Sequence, residues 1–384
     1  MQQKEENMDL IPVNEPLLDG NEKNYLCECV DTGWISSEGP FVKKLEEGIA
    51  EYTGRKYGIA VCNGSVALDL CVEALQLKAG DEVIMPTFTI ISCAAALVRK
   101  GVKPVLVDAY PDTWNMNVKQ VEEKITTHTK AIMVVHIYGL PVDMDPIMKL
   151  AEKYNLMVIE DGAEAHGLLY RGKKCGSFGT ISAMSFYPNK HITTGEGGMV
   201  LTDDEQLAER CRSFRNLCHK PGHRFVHEEL GYNFRMSNIQ AAIGVAQLEK
   251  ISEHLLLKRR LGENYTQLLA DCKHFRFPIS ETEYAKNIYW VFGMVMDKDC
   301  KISAEEAIKF LADRKVGCRP FFYPMHKQPV FKKMGMFEGE SYPVAEELYE
   351  KGFYIPSGLG VTKEQMEYVV KQVHELDQLL GQYS

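Results

Sequence analysis

No stretch of this sequence is long and apolar enough to read as a membrane span. The best candidate, residues 83–98, is broken by Pro86 and falls short of the ~18 apolar residues a span requires. The leading MQQKEENMDL carries three acids and no hydrophobic run. It is therefore not expected to serve as a secretory signal, and the chain is expected in the cytosol, with no membrane partner. An excess of positive charge is also missing: 44 Lys and Arg against 53 Asp and Glu leave a net charge of −9. Counterion release from a polyanion needs clustered basic side chains, so no nucleic-acid partner is expected. Cysteine is thin, eleven in 384 residues and an odd number, which fits reduced thiols better than a disulfide framework. Neither a GxGxxG fingerprint nor a Walker-type loop occurs, which weighs against dinucleotide and P-loop chemistry.

What is present is an alternation. Between Tyr57 and Asp161, short continuous apolar runs alternate with segments of helical period. That pattern predicts a mostly parallel sheet covered by helices on both faces, an α/β fold. The predicted strands are Tyr57–Val61, Glu82–Met85, Pro104–Asp108, Lys130–Tyr138 and Leu156–Asp161. Leu68, Cys71, Val72 and Leu75 mark one helix face, and Val118, Val121 and Ile125 another. A proline-free stretch from Ser237 to about Leu269 predicts a long helix. Beyond it the pattern restarts with a strand over Asn287–Met296, a helix opened by the capping box Ser303-Ala-Glu-Glu306 and a strand near Cys318–Tyr323. A last helix is opened by Thr362-Lys-Glu-Gln365. These signals predict a polar, disordered leader over residues 1–10, a large α/β domain over 11–255 and a small α+β domain over 256–384.

Three local features carry chemistry. The turn Cys62-Asn63-Gly64-Ser65 follows a strand and opens a helix, so its backbone N–H groups and the helix dipole suit a phosphate, although a simple N-cap reads the same way. Asp161 ends an apolar strand, where open α/β sheets keep their ligand crevice. Lys190 is one of only two charged side chains, with Glu196, between Cys175 and Leu201. A lysine in neutral surroundings gives up its proton more easily, and the free amine is the form that condenses with aldehydes. A strand-end aspartate, an anion-ready turn and a desolvated lysine together suit pyridoxal phosphate. The run Cys211, Cys218, His219, His223, His227 lacks the CxxC hook of closed zinc sites, so no metal is assigned. Cys27 and Cys29 are expected to pack as small apolar residues.

The motifs Trp34-Ile-Ser-Ser-Glu-Gly-Pro40, Asn63-Gly-Ser65, Glu160-Asp-Gly-Ala-Glu-Ala-His166, Ser185-Phe-Tyr-Pro-Asn-Lys190, Thr193-Thr-Gly-Glu-Gly-Gly198 and Gly231-Tyr-Asn-Phe-Arg-Met236 resemble those of the DegT group of nucleotide-sugar aminotransferases. The resemblance runs from about Ile11 to the C-terminus. It implies the aspartate-aminotransferase fold, with a mostly parallel seven-stranded sheet, and pyridoxal 5'-phosphate as cofactor, passing through its pyridoxamine form. Trp34-Ile-Ser-Ser, Thr113-Trp-Asn-Met116 and Arg319-Pro-Phe-Phe-Tyr-Pro-Met-His326 are most similar to enzymes that aminate C-4 of GDP-4-keto-6-deoxymannose, with glutamate as the expected donor.

By this resemblance Lys190 joins the cofactor and ferries its proton, while Asp161 pairs with the ring nitrogen. Phe88 stacks on the ring and Glu164 contacts its hydroxyl. Gly64, Ser65 and Ser185 hold the phosphate, with Asn233 arriving from the second subunit of a homodimer. Trp34, Tyr323 and His326 border the sugar. Ser65 and Glu164 replace the more usual threonine and glutamine, and Pro188 removes a backbone donor. His191 directly follows Lys190, and dehydratases of the same fold carry histidine in place of the lysine. A dehydratase and a non-catalytic sugar-binding sensor are therefore the competing expectations.

Overall fold

The computed structural model describes residues 9–382; most of the leader assigned above lies outside them. Seven strands form the main sheet: β1 (Tyr57–Val61), β2 (Glu82–Pro86), β3 (Lys103–Val107), β4 (Thr129–Val135), β5 (Met157–Asp161), β6 (Ile181–Ser185) and β7 (Gly198–Thr202). Their spatial order is β1-β7-β6-β5-β4-β2-β3. Only β7 runs against the others, pairing antiparallel with both β1 and β6. Two apolar clusters cover the sheet, one through Leu70, Leu97 and Met133 and one through Leu45, Ile132 and Met199. Burial on both faces explains why the strands read as continuous apolar runs.

The long helix extends over Asn238–Leu268, opened by a reciprocal capping box between Ser237 and Gln240. It crosses residue 255 without interruption. A four-stranded antiparallel sheet follows, its two central strands Phe292–Met296 and Gly352–Ile355. Ser303 and Glu306 form the expected capping box, and Thr362 with Gln365 form another. The start of the described chain belongs to this region: Ile11 donates to the Lys315 carbonyl and accepts from Gly317, and Val13 accepts from Ser357. Ile11 is fully buried there, packed with Phe353 and Ile355.

Three local expectations give way. The helix foreseen around Val118–Ile125 is two short 3-10 turns, Val118–Gln120 and Glu122–Lys124. Here the Gln120 side chain accepts from Asp108 N instead of lying along a helix. The strand foreseen from Asn287 pairs only from Phe292, because Tyr289 adopts a left-handed φ of 48°, a conformation uncommon for a bulky residue. Cys29 is buried as expected, whereas Cys27 is exposed.

Candidate active site

The helix Gly64–Ala74 begins at the C-terminal end of β1, and Asn63 caps it by accepting from Val66 N at 3.0 Å. Ala67 N is bonded to the Asn63 carbonyl. The N–H groups of Gly64 and Ser65 are left without an acceptor inside the helix. A Cβ on Gly64 would lie 2.6 Å from Cβ of Ser185. Glycine therefore lets the helix start and the end of β6 close to a narrow cradle, in which Ser65 Oγ also meets Ser92 Oγ at 2.8 Å.

Asp161 stands at the C-terminal end of β5 and is 2% exposed. One carboxylate oxygen accepts from Ala163 N at 3.0 Å and the other from the Cys93 thiol at 3.1 Å. Burial pushes its carboxyl above the ordinary range, against the pull of these donors and of Lys190. Lys190 ends a turn closed by its N–H to the Tyr187 carbonyl. Its amine lies 3.7 Å from Glu164 Oε1 and 3.8 Å from the centre of the Trp290 ring. Burial lowers its pKa, while Glu164 and Asp161 oppose the shift. Glu164, which also accepts from Tyr138 N, is raised by burial to about 7. Near neutrality the site thus holds carboxyl groups and an amine whose charges are all disfavoured by desolvation, the condition under which proton exchange among them is easy.

Gly64, Ser65, Asp161, Glu164, Ser185 and Lys190 all line one cavity of about 940 Å³, near the upper end of the usual range for small-molecule sites. The other residues assigned from sequence lie elsewhere. Phe88 is completely buried against Tyr138 and Phe321. The neighbouring Ile90, 43% exposed, lines the cavity in its place. His326 is also withdrawn: Thr87 Oγ1 and Glu346 Oε1 each lie 2.9 Å from one of its ring nitrogens, which leaves no free edge for a sugar. Tyr323 packs edge-on against Tyr349. Trp34 is half exposed, with its carbonyl accepting from Asn238 Nδ2. Asn233 bridges to Asn216 outside the cavity.

His191 does not line the cavity of about 940 Å³, although it borders a small neighbouring one together with Lys190. Its buried ring sits by Lys258 and His166, and burial holds its pKa well below the usual value. In the Cys211–His227 run, His219 and His227 face each other across a short hairpin. Among the described residues, that run supplies no three metal-ligating side chains close enough together to share an ion. Trp290, Cys93 and Arg319, which also touch the site, escaped sequence reasoning. Their chain distance from Asp161 and Lys190 leaves no local signal, apart from Arg319 beginning the quoted Arg-Pro-Phe-Phe motif.

The chain is 41% identical over 369 residues to a GDP-perosamine synthase of Escherichia coli O157:H7, covering 96% of this chain and 99% of that one. It is likewise 41% identical to the GDP-perosamine synthase of Caulobacter vibrioides, covering 96% and 98%. Among solved structures, S. venezuelae DesV in complex with a ketimine intermediate superposes with a TM-score of 0.86 at 29% identity, covering 93% and 94% of the two chains. The DegT/DnrJ/EryC1/StrS aminotransferase family matches residues 16–374, and this chain belongs to that family.

Proposed function

We propose that the chain transfers an amino group from glutamate to the C-4 keto carbon of a nucleotide-linked 4-keto-6-deoxy sugar, GDP-4-keto-6-deoxymannose, yielding GDP-perosamine. The observation that carries this reading is the meeting of buried Lys190, buried Asp161 and the Gly64–Ser65 turn in one cavity. Pyridoxal phosphate is the cofactor, and the residues present fit it. The cradle that a Cβ on Gly64 would fill suits a phosphate, and the desolvated carboxyl of Asp161 at the strand end suits a protonated ring nitrogen. When bound, the cofactor supplies an aldehyde and a protonated ring that draws electrons from the reacting carbon.

The chain's own residues do the rest. The N–H groups of Gly64 and Ser65, with the hydroxyls of Ser65 and Ser185, hold the phosphate. The Asp161 carboxylate keeps the ring nitrogen protonated. Lys190, whose ammonium is disfavoured by burial, takes a proton from the donor carbon and returns it on the far side of the transfer. Glu164, poised near neutrality, faces the same amine and buffers its charge. Ile90 rather than Phe88 offers an apolar side chain to the cavity. The seclusion of His191 supports amination over the dehydratase alternative.

A second copy of the chain completes the site in this reading. Phe225, Val226 and Leu230 are strongly exposed on the segment leading to Asn233, the kind of apolar patch that marks a protein interface. Sedimentation equilibrium is expected to give twice the chain mass, and a monomer at micromolar concentration contradicts the shared site. The substrate reading is tested by a panel of GDP- and UDP-linked keto sugars with glutamate, read by mass spectrometry. The expected product has exchanged its carbonyl oxygen for an amine. A product that has lost an oxygen without gaining nitrogen defeats amination, and equal use of a UDP sugar defeats the GDP assignment alone.

A further inference from the structure

Lys190 is gripped from one side by a single residue. The Trp290 ring lies 3.8 Å from its amine, well inside the ~6 Å reach of a cation–π contact. The same ring donates its Nε1–H to the carbonyl of Asn189 at 2.7 Å, so one side chain holds both the lysine's amine and the backbone just before it. Trp290 is fixed in turn. Its carbonyl accepts from Lys258 Nζ at 2.9 Å, and that amine also bonds the Ser357 carbonyl. Tyr138 stacks on the indole with ring centres 5.8 Å apart. Two unfavourable features maintain this arrangement. Tyr289 takes its left-handed φ immediately before Trp290, and Lys258 is buried with its pKa lowered to about 7 by desolvation. Strained and desolvated groups of this kind persist where the surrounding structure holds a site in shape.

We propose that Trp290 is the positioning residue of the reaction, its indole face receiving the Lys190 amine whenever the lysine is free of cofactor and keeping it within reach of the reacting carbon. The proposal rests on the aminotransferase reading. The ring's negative face favours ammonium over amine and so opposes the burial around it. The charged and titratable groups facing Lys190 are Glu164 and Asp161 from the end of β5 and its turn, together with His166 and His191. Tyr187, Tyr354 and Arg319 share its cavity, and Lys258 lies behind the indole. None of them is itself altered chemically when position 290 alone is changed.

The test is capture of pyridoxal phosphate by the cofactor-free protein as a function of pH, with borohydride added and the labelled peptide identified by mass spectrometry. The Lys190 amine condenses with the aldehyde, losing one water, and hydride reduces the C=N bond to a stable secondary amine. Wild-type protein tests the underlying reading, since no adduct at Lys190 at any pH overturns the function itself. Given such an adduct, Trp290→Leu is expected to move the midpoint of capture down by about half to one and a half pH units, because the ring no longer favours the ammonium. Trp290→Phe keeps a weaker ring and loses the indole N–H. It is expected to shift the midpoint less and to capture more slowly than wild type, and it decides the matter if the leucine variant does not fold. An unchanged or raised midpoint overturns the proposal, whatever happens to stability.

Discussion

Replacing Lys190 with alanine is expected to lower turnover by at least about a thousandfold, since positioned proton transfer alone contributes ~10²–10⁴ and the same amine also captures the cofactor. The fold should survive, because Lys190 is a desolvated cation whose charge is disfavoured where it sits. The linkage sign supports this. A lysine pKa lowered in the folded state means that the unfolded chain binds more protons up to the ordinary lysine range. The lysine's contribution is therefore unfavourable at neutral pH and fades as pH rises toward 10.5. The cofactor-free variant should melt no lower than wild type at pH 7. Measurable amino transfer by Lys190→Ala, assayed by keto-acid release from glutamate, would remove the lysine from its role.

The second large effect is expected at Asp161. Asp161→Asn keeps the shape of the side chain and its contact with Ala163 N, but removes the charge that answers a protonated ring nitrogen. Breaking one side of a buried ion pair costs about 3–5 kcal/mol, which corresponds to roughly a hundred- to several-thousandfold weaker cofactor binding. Equilibrium dialysis against pyridoxal phosphate measures this, and an affinity within a factor of three of wild type would sink the pairing. Stability should move the other way. The Asp161 carboxyl is raised in the folded chain, so the folded state holds the extra proton. The stability this contributes is complete below the ordinary aspartate value and is lost as pH rises through the folded one. Glu164 behaves alike between 4.5 and about 7. Without cofactor, the asparagine variant is therefore expected to be more stable than wild type at pH 8, a trade of stability for function at a site whose groups are destabilised when empty.

How much of this was legible in the sequence follows from what kind of signal each residue leaves. Asp161 and Lys190 were readable because strand ends and neutral surroundings are local facts. The capping residues Ser303 and Thr362 were readable for the same reason. Phe88 was misplaced because Thr87-Phe88-Thr89-Ile90 leaves β2 as a turn, where neither the two-residue nor the helical period says which side chain faces the crevice. The larger ring went to the core and Ile90 to the wall. His326 was misplaced because its withdrawal depends on Glu346, twenty residues further along, and on Thr87, far back in the chain. Trp290 was invisible as a site residue because the backbone inversion at Tyr289, which ends strand pairing before Phe292, has no glycine or asparagine to announce it.

The seating of Ile11 between Lys315 and Gly317 bears on how the molecule is made. At about 5–20 residues per second, the ribosome releases that isoleucine roughly tens of seconds before its partners exist. During that interval its side chain has nowhere to bury. Asn14, which lines the cavity and reaches toward the carbonyl just before Lys190, lies on the same segment. A nascent chain halted before position 315 would carry Asp161 and Lys190 in a finished sheet, yet leave one wall of their chamber open to water.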